Sequence, residues 1–234
     1  PILIFVFGIK PHLAIGTDLL FAAFTKMGGT ISLARSRLVD WRIVGQMAAG
    51  SIPASLVTLY ILQSLGPANK ATQTLMTTTL GVALLLTATA TLYKVLRGKT
   101  VPVRIAPELL AGATRARHWS FPVLFGAVIG SLVTLTSVGA GAIGVIVLML
   151  LYPALPLQRI VAADIAYAVP LTLVAGLGHA SLGSVDWPLL AKLLAGSLPG
   201  IWIGSRLMRH TPDRVIRSIL SVLLAWAGTK LVMV

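Results

Sequence analysis

Long apolar segments dominate this chain and leave it few ways to fold. They lie at about 1–9, 13–34, 43–65, 72–95, 121–151, 158–183, 188–207 and 213–234. Only 11% of the residues are charged, against about a quarter in soluble domains. A soluble domain of 234 residues lacks the interior to hide so much apolar surface, whereas a bilayer is itself an apolar solvent. One spanning helix takes about 20 mainly apolar residues, so the length allows roughly six to eight of them. Lipid offers no partner to an open strand, so the segments are expected to be helices. The predicted fold class is all-α: a polytopic transmembrane helical bundle.

The longest polar stretch lies between Tyr93 and Phe121, with Lys94, Arg97, Lys99, Arg104, Arg115 and Arg117 against the single acid Glu108. It reads as a basic cytoplasmic linker, 96–120, between a first transmembrane repeat, 1–95, and a second, 121–234. Its 107–117 portion has the character of a surface helix. The net charge of +13 fits basic loops beside anionic lipid better than nucleic-acid binding, because the linker lacks interleaved aromatics. The chain opens on Pro1 inside an apolar run, so the first repeat is expected to be incomplete at its N-terminus.

The halves are related by an internal repeat. A shift of 146 residues superimposes Val39-Asp40-Trp41 on Val185-Asp186-Trp187, and Ala49-Gly50-Ser51-Ile52-Pro53 on Ala195-Gly196-Ser197-Leu198-Pro199. It also pairs Asp18 with Asp164, without a gap. Such duplication is characteristic of secondary transporters. The segment 121–151 decides how the copies are oriented. A single straight helix of that length would be about 46 Å long, against a hydrocarbon core of roughly 30 Å. It is interrupted by Ser137, Gly139, Gly141 and Gly144. If it enters, breaks and returns, Arg35, Arg37, Arg42 and the cluster Arg206, Arg209, Arg214 and Arg217 all fall on the linker's side. That satisfies the positive-inside rule and makes the repeats inverted, with broken, re-entrant helices. The shift puts the counterpart of 139–144 before residue 1, so the first half is expected to lack its own glycine break.

Charges inside apolar segments are the candidates for function, because each costs at least a few kcal/mol near the bilayer centre. Asp18 and Lys26 share one segment. Eight positions apart, they sit about 80° apart around a helix and too far apart along it to pair directly. Lys26 is too deep for full snorkelling. It either contacts an anionic substrate or neutralises Asp18 or Asp164. Asp18 either faces a cavity or caps a helix after Gly16-Thr17. Gly139, Gly141 and Gly144 either allow close helix packing or leave backbone N–H groups free at a half-helix N-terminus suited to an anion. Thr17, Thr25, Thr136 and Ser137 offer hydroxyls nearby. His179 is either a packing residue or a proton-coupling group. Asp164 shares a structural or gating part with Asp18, and Pro170 frees a carbonyl in mid-helix. Asp40 and Asp186 read as N-caps, and Trp41 and Trp187 as interfacial aromatics.

The chain has none of the common hydrolase, metalloprotease or P-loop motifs, and its histidines, at 12, 118, 179 and 210, are scattered. No enzyme activity, metal or cofactor is expected. With no cysteine, disulfides and thiolate chemistry are excluded.

These motifs together resemble the sulfite exporter TauE/SafE family of bacterial membrane transporters. The resemblance rests on Gly16-Thr17-Asp18-Leu19-Leu20 with Thr25-Lys26, on both Val-Asp-Trp loops, and on Gly50-Ser51-Ile52-Pro53 and Gly196-Ser197-Leu198-Pro199-Gly200. It also rests on Gly139-Ala140-Gly141, on Ala168-Val169-Pro170-Leu171-Thr172-Leu173 and on Gly176-Leu177-Gly178-His179. It spans nearly the whole chain except the linker. It implies an ATPase-free secondary carrier of small sulfur-containing anions, sulfite or organosulfonates, in the bacterial inner membrane, with protons as one candidate coupling ion. Leu33 and Tyr167 stand where the family often has His, which weakens a relay built on histidine. An anion or water channel, or a membrane assembly or sensor protein without flux, are the alternatives on the same scaffold. A homo-oligomer is compatible with either.

Overall fold

The computed structural model describes residues 2–5, 7–97, 120–138, 141–152, 155–208 and a few positions between 222 and 229. Gly139, Arg209, Arg214, Arg217 and all but the ends of the basic linker lie outside them. The described residues are helical: α1 (Ile2–Phe5), α2 (Pro11–Arg35), α3 (Trp41–Leu65), α4 (Lys70–Arg97), α5 (Ser120–Thr136), α6 (Ala142–Leu151), α7 (Leu157–Ser181) and α8 (Trp187–Met208). Among the described residues, three spans are long and apolar enough to cross a membrane: Trp41–Leu65, Lys70–Thr89 and Leu157–Ser181.

The 146-residue repeat recurs in the helix bounds. It carries both ends of α2 onto the ends of α7, and the start of α3 onto the start of α8. The same local chemistry ends α2 and α7. In α2, Leu38 N donates to Leu33 O and Arg37 N to Ala34 O. In α7, Ser184 N donates to His179 O and Gly183 N to Ala180 O. Both are Schellman caps with the turning residue in the left-handed region, Arg37 at φ 54° and Gly183 at φ 67°, where glycine carries no Cβ penalty. Each following helix then opens on an aspartate. Asp40 accepts from Arg42 N at 3.1 Å, and Asp186 from Leu189 N at 3.0 Å. Capping accounts for both acids.

Glycine contacts set how the helices pass one another. Gly16 lies against His179 and Ser184, Gly176 against Leu20, and Gly29 against Ile165. Positions that rise on α2 fall on α7, so the two matched helices are antiparallel. On α3 and α5 the order is the same in both helices: Gly126 meets Met47, Gly130 meets Ser51, and Thr134 Oγ1 bonds Ser55 Oγ at 2.7 Å. These two helices are parallel. Gly126 and Gly130 form a small-xxx-small stripe that brings backbone against backbone.

The segment 121–151 is broken where the glycines are. α5 stops at Thr136 and α6 starts at Ala142. At the far end of α6, Tyr152 donates from its hydroxyl to Gln46 Oε1 at 2.8 Å, near the beginning of α3.

Polarity is distributed opposite to a water-soluble protein. Leu56, Val57, Tyr60, Leu124, Val128, Trp41 and Trp187 are exposed, while Thr17, Ser51, Ser55, Thr134, Asp164, His179 and Ser184 are buried. A surface of this kind is stable against lipid and not against water. The buried core itself gathers Leu19, Met47, Met76, Ile129, Val133, Leu148, Tyr167 and Leu171.

A Cβ at Gly126 or Gly130 meets backbone atoms that cannot move aside, whereas at Gly45 it meets nothing. Gly126→Ala and Gly130→Ala are each expected to cost about 1–3 kcal/mol, as overpacking does, and to lower the melting temperature of the detergent-solubilised protein. Gly45→Ala should leave it equal or higher, since alanine is the better helix former.

Candidate functional site

Breaking a helix in an apolar interior strands the carbonyls of its last turn. Two of these carbonyls meet partners near the end of α5, and the turn adds a third bond. Val133 O accepts from Ser137 N at 2.7 Å. Thr134 O contacts His179 Nε2 at 2.9 Å. A carbonyl only accepts, so Nε2 carries the proton and Nδ1 of a neutral His179 is left as an acceptor. That Nδ1 is buried without a partner. Thr136 Oγ1 takes Val138 N at 3.1 Å. His179, from α7, thus caps the broken helix.

Ser137 makes the turn itself. Its φ of 58° lies in the left-handed region, which disfavours residues with a side chain. Its hydroxyl donates to Asp18 Oδ2 at 2.7 Å. Asp18 lies in the middle of α2, seven residues after its start at Pro11, so it does not cap a helix. Asp18 and Ser137 face a cavity of about 370 Å³, otherwise lined mainly by apolar side chains including Ile4, Ala14, Phe21 and Leu193.

Lys26 does not line this cavity. It is half-buried two turns further along α2, within electrostatic reach of Asp164 and, less strongly, of Asp18. Among the described residues no acid pairs with it directly. Asp164 is 3% exposed. Its Oδ1 has no hydrogen-bond partner, although it lies against Gly144 at the space a Cβ would fill. Tyr167, wholly buried, brings a second unpartnered oxygen to the same place.

The remaining candidates are spread out. Thr25 returns its hydroxyl to Phe21 O at 2.8 Å within its own helix. Thr17 Oγ1 accepts from Asp186 N at 2.9 Å, tying α2 to the second Val-Asp-Trp loop. Gly141 is exposed at the start of α6, and Pro170 sits within α7. The structure therefore joins Asp18 with Ser137, and Asp164 with Gly144, and leaves Lys26 between the two acids.

Comparison with known proteins adds to this geometry. The family model described as Sulfite exporter TauE/SafE matches residues 1–231. The chain belongs to the sulfite exporter TauE/SafE family. It is 32% identical over 230 residues to the probable membrane transporter protein YjnA of Bacillus subtilis (strain 168), spanning 98% of this chain and 89% of that protein. A second relative in the same organism, the probable membrane transporter protein YdhB, is 29% identical over 233 residues, 97% of this chain and 87% of that protein. No solved structure matches. TauE/SafE membership makes this chain a membrane transport protein, and family and relatives are named for transport, not catalysis. The polar interior under an apolar surface is what such a family requires.

Ser137 separates two effects that substitution can resolve. Ser137→Ala loses the bond to Asp18 and keeps a left-handed side-chain residue. Ser137→Gly loses the bond but relieves the backbone. Ser137→Gly is expected to be the more stable of the pair by about 1 kcal/mol, read as the higher melting temperature in the same detergent.

Proposed function

We propose that this TauE/SafE protein is a secondary carrier that moves a small anion, sulfite or an organosulfonate, across the bacterial inner membrane by alternating access. The observation that carries the reading is the position of Lys26 between two repeat-related acids, Asp18 and Asp164, inside the antiparallel α2–α7 pair. A cation held there without a direct partner has electrostatic capacity left for a substrate anion. The hydroxyls of Ser137 and Thr25 donate to Asp18 and Phe21 in this conformation, so we assign them, with Gly141 and Gly144, to the anion's path once the helices move and not to one formed site. Thr17 has its oxygen committed to Asp186 and contributes through the position of α2. His179 and Pro170 serve the movement of α7. Asp18, held by Ser137, opens on the cavity, and protons are one candidate coupling ion.

Alternating access on this scaffold rests on inverted repeats, and the helix contacts support that arrangement. Repeat-matched α2 and α7 run in opposite directions. Parallel α3 and α5 start at the same level, and Tyr152, after α6, comes back to Gln46 near that level. A chain that leaves and returns at one end supports a segment that enters and turns back, and with it opposite senses for 1–95 and 121–234.

Two measurements test the reading. In proteoliposomes, uptake of sulfite or methanesulfonate should be saturable, and Lys26→Ala should lower it at least tenfold with folding intact. Unsaturable flux would favour a channel, absence of flux would remove the carrier, and unchanged flux in Lys26→Ala would remove Lys26 from the site. Topology is checked independently, because the chain has no cysteine of its own. Ser36→Cys and Ser181→Cys, both at exposed positions, should label with a membrane-impermeant maleimide from opposite faces. Labelling from one face would refute the inverted repeat.

A further inference from the structure

The level of the fold around Asp164 holds several buried polar atoms without partners. Asp164 Oδ1, Tyr167 Oη and Thr30 Oγ1 each lack a hydrogen bond. The antiparallel approach of Gly29 to Ile165 sets Thr30 and Asp164 at one height. Gly144 of α6 closes the other side against both Asp164 Oδ1 and Tyr167 Oη. Unpartnered oxygens in a dry interior are costly. A proton on the carboxyl removes the larger part of that cost, since it abolishes the charge and supplies a donor for a neighbouring oxygen.

The ionisable groups around Asp164 are few. From α2 comes Lys26, with Asp18 beyond it, and α7 itself adds Tyr167. α5 and α6 carry no ionisable residue. Those of α3, Arg42 and Tyr60, are exposed. Lys26 is therefore the cation that answers to the charge on Asp164.

We propose that Asp164, with Tyr167 Oη beside it, is a proton site that switches Lys26 between two partners. With Asp164 ionised, Lys26 turns to it and is lost to the substrate. With the proton on Asp164, Lys26 is released to the anion. Proton and anion then bind together, and the empty carrier returns with the internal pair formed. No bond other than that of the proton to the carboxylate is made or broken. The inference rests on the carrier reading, and names the residues that would couple it to pH.

The test uses the full-length protein in lipid nanodiscs with methanesulfonate, an anion whose own charge is constant over the neutral range. Wild-type affinity should rise about tenfold per unit fall in pH, the signature of one linked proton. In Asp164→Asn it should be independent of pH and close to the wild-type acid value, and Asp164→Glu should restore the dependence. Wild-type affinity independent of pH, or the full dependence in Asp164→Asn, would overturn the switch. Infrared difference spectra decide the proton site without any substrate. The C=O stretch of a protonated carboxyl should grow in as the pH is lowered through the range in which the affinity rises, be absent in Asp164→Asn, and be shifted in Tyr167→Phe, which removes only the hydroxyl. A band that survives in Asp164→Asn, or is unmoved in Tyr167→Phe, would overturn the site. Should methanesulfonate bind at no pH while the band behaves as expected, the sulfonate reading fails and the proton site stands.

Discussion

A helix that ends inside an apolar interior has to find partners for its last carbonyls within the protein, because lipid supplies none. α5 ends in that situation at Thr136. Its Thr134 carbonyl is met by His179 from α7, and the turn that follows is held by Asp18 from α2 through Ser137. A buried polar group left unpaired costs several kcal/mol, so the break persists because two other helices are in place. The dependence runs both ways. Moving α2 or α7 relative to α5 removes a partner from the break, and relocating the break strands His179 and Asp18. A junction bonded to helices of both repeats cannot shift independently of them.

Close packing supplies the rigidity against which such a junction can act. Gly126 and Gly130 let α5 lie backbone-to-backbone on α3, and Gly16 and Gly176 do the same between α2 and α7. In lipid there is little hydrophobic gain from joining two apolar helices, so contact rests on dispersion and on bonds such as Thr134–Ser55. Small residues lengthen the line of contact over which these weak terms add. The larger side chains, Leu56, Val57, Tyr60, Leu124 and Val128, are turned outward, where they face lipid without loss.

Much of this architecture is legible in the sequence because its determinants are local. Asp40 and Asp186 reveal helix starts, the glycines after Ser137 reveal the break, and the spacing of the two Val-Asp-Trp motifs reveals the duplication with its register. The site is less legible because its bonds are long-range. Ser137 and Asp18 are 119 positions apart, and His179 and Thr134 are 45 apart. An isolated histidine in an apolar run carries no mark of the carbonyl it will cap. Asp18 after Gly16-Thr17 looks like a helix start only if the helix beginning at Pro11 is overlooked. Tyr167 stands out in the sequence only as a place where the family often has His, although it lies three residues after Asp164 and so on the same helix face. The Gly126 and Gly130 stripe was readable from its spacing alone.

Duplication gives the two acids the same place in their repeats but not the same surroundings. Asp18 is bonded by Ser137 and opens on the cavity, with Phe21 beside it. Asp164 is sealed against Gly144, and Tyr167 stands where the repeat has Phe21. An inversion axis between α2 and α7 would make the sites equivalent only if the chain could occupy both arrangements at equal energy. The added hydroxyl of Tyr167 breaks that balance, because it places a polar atom in the closed site that the open one lacks. On the carrier reading, near-symmetry would keep two arrangements close in energy, while the tyrosine and the hydrogen-bonded break would make them distinguishable. Packed interiors move between discrete arrangements and do not deform continuously. On the carrier reading, Lys26, reached electrostatically by both acids, is the charge whose position would differ between them.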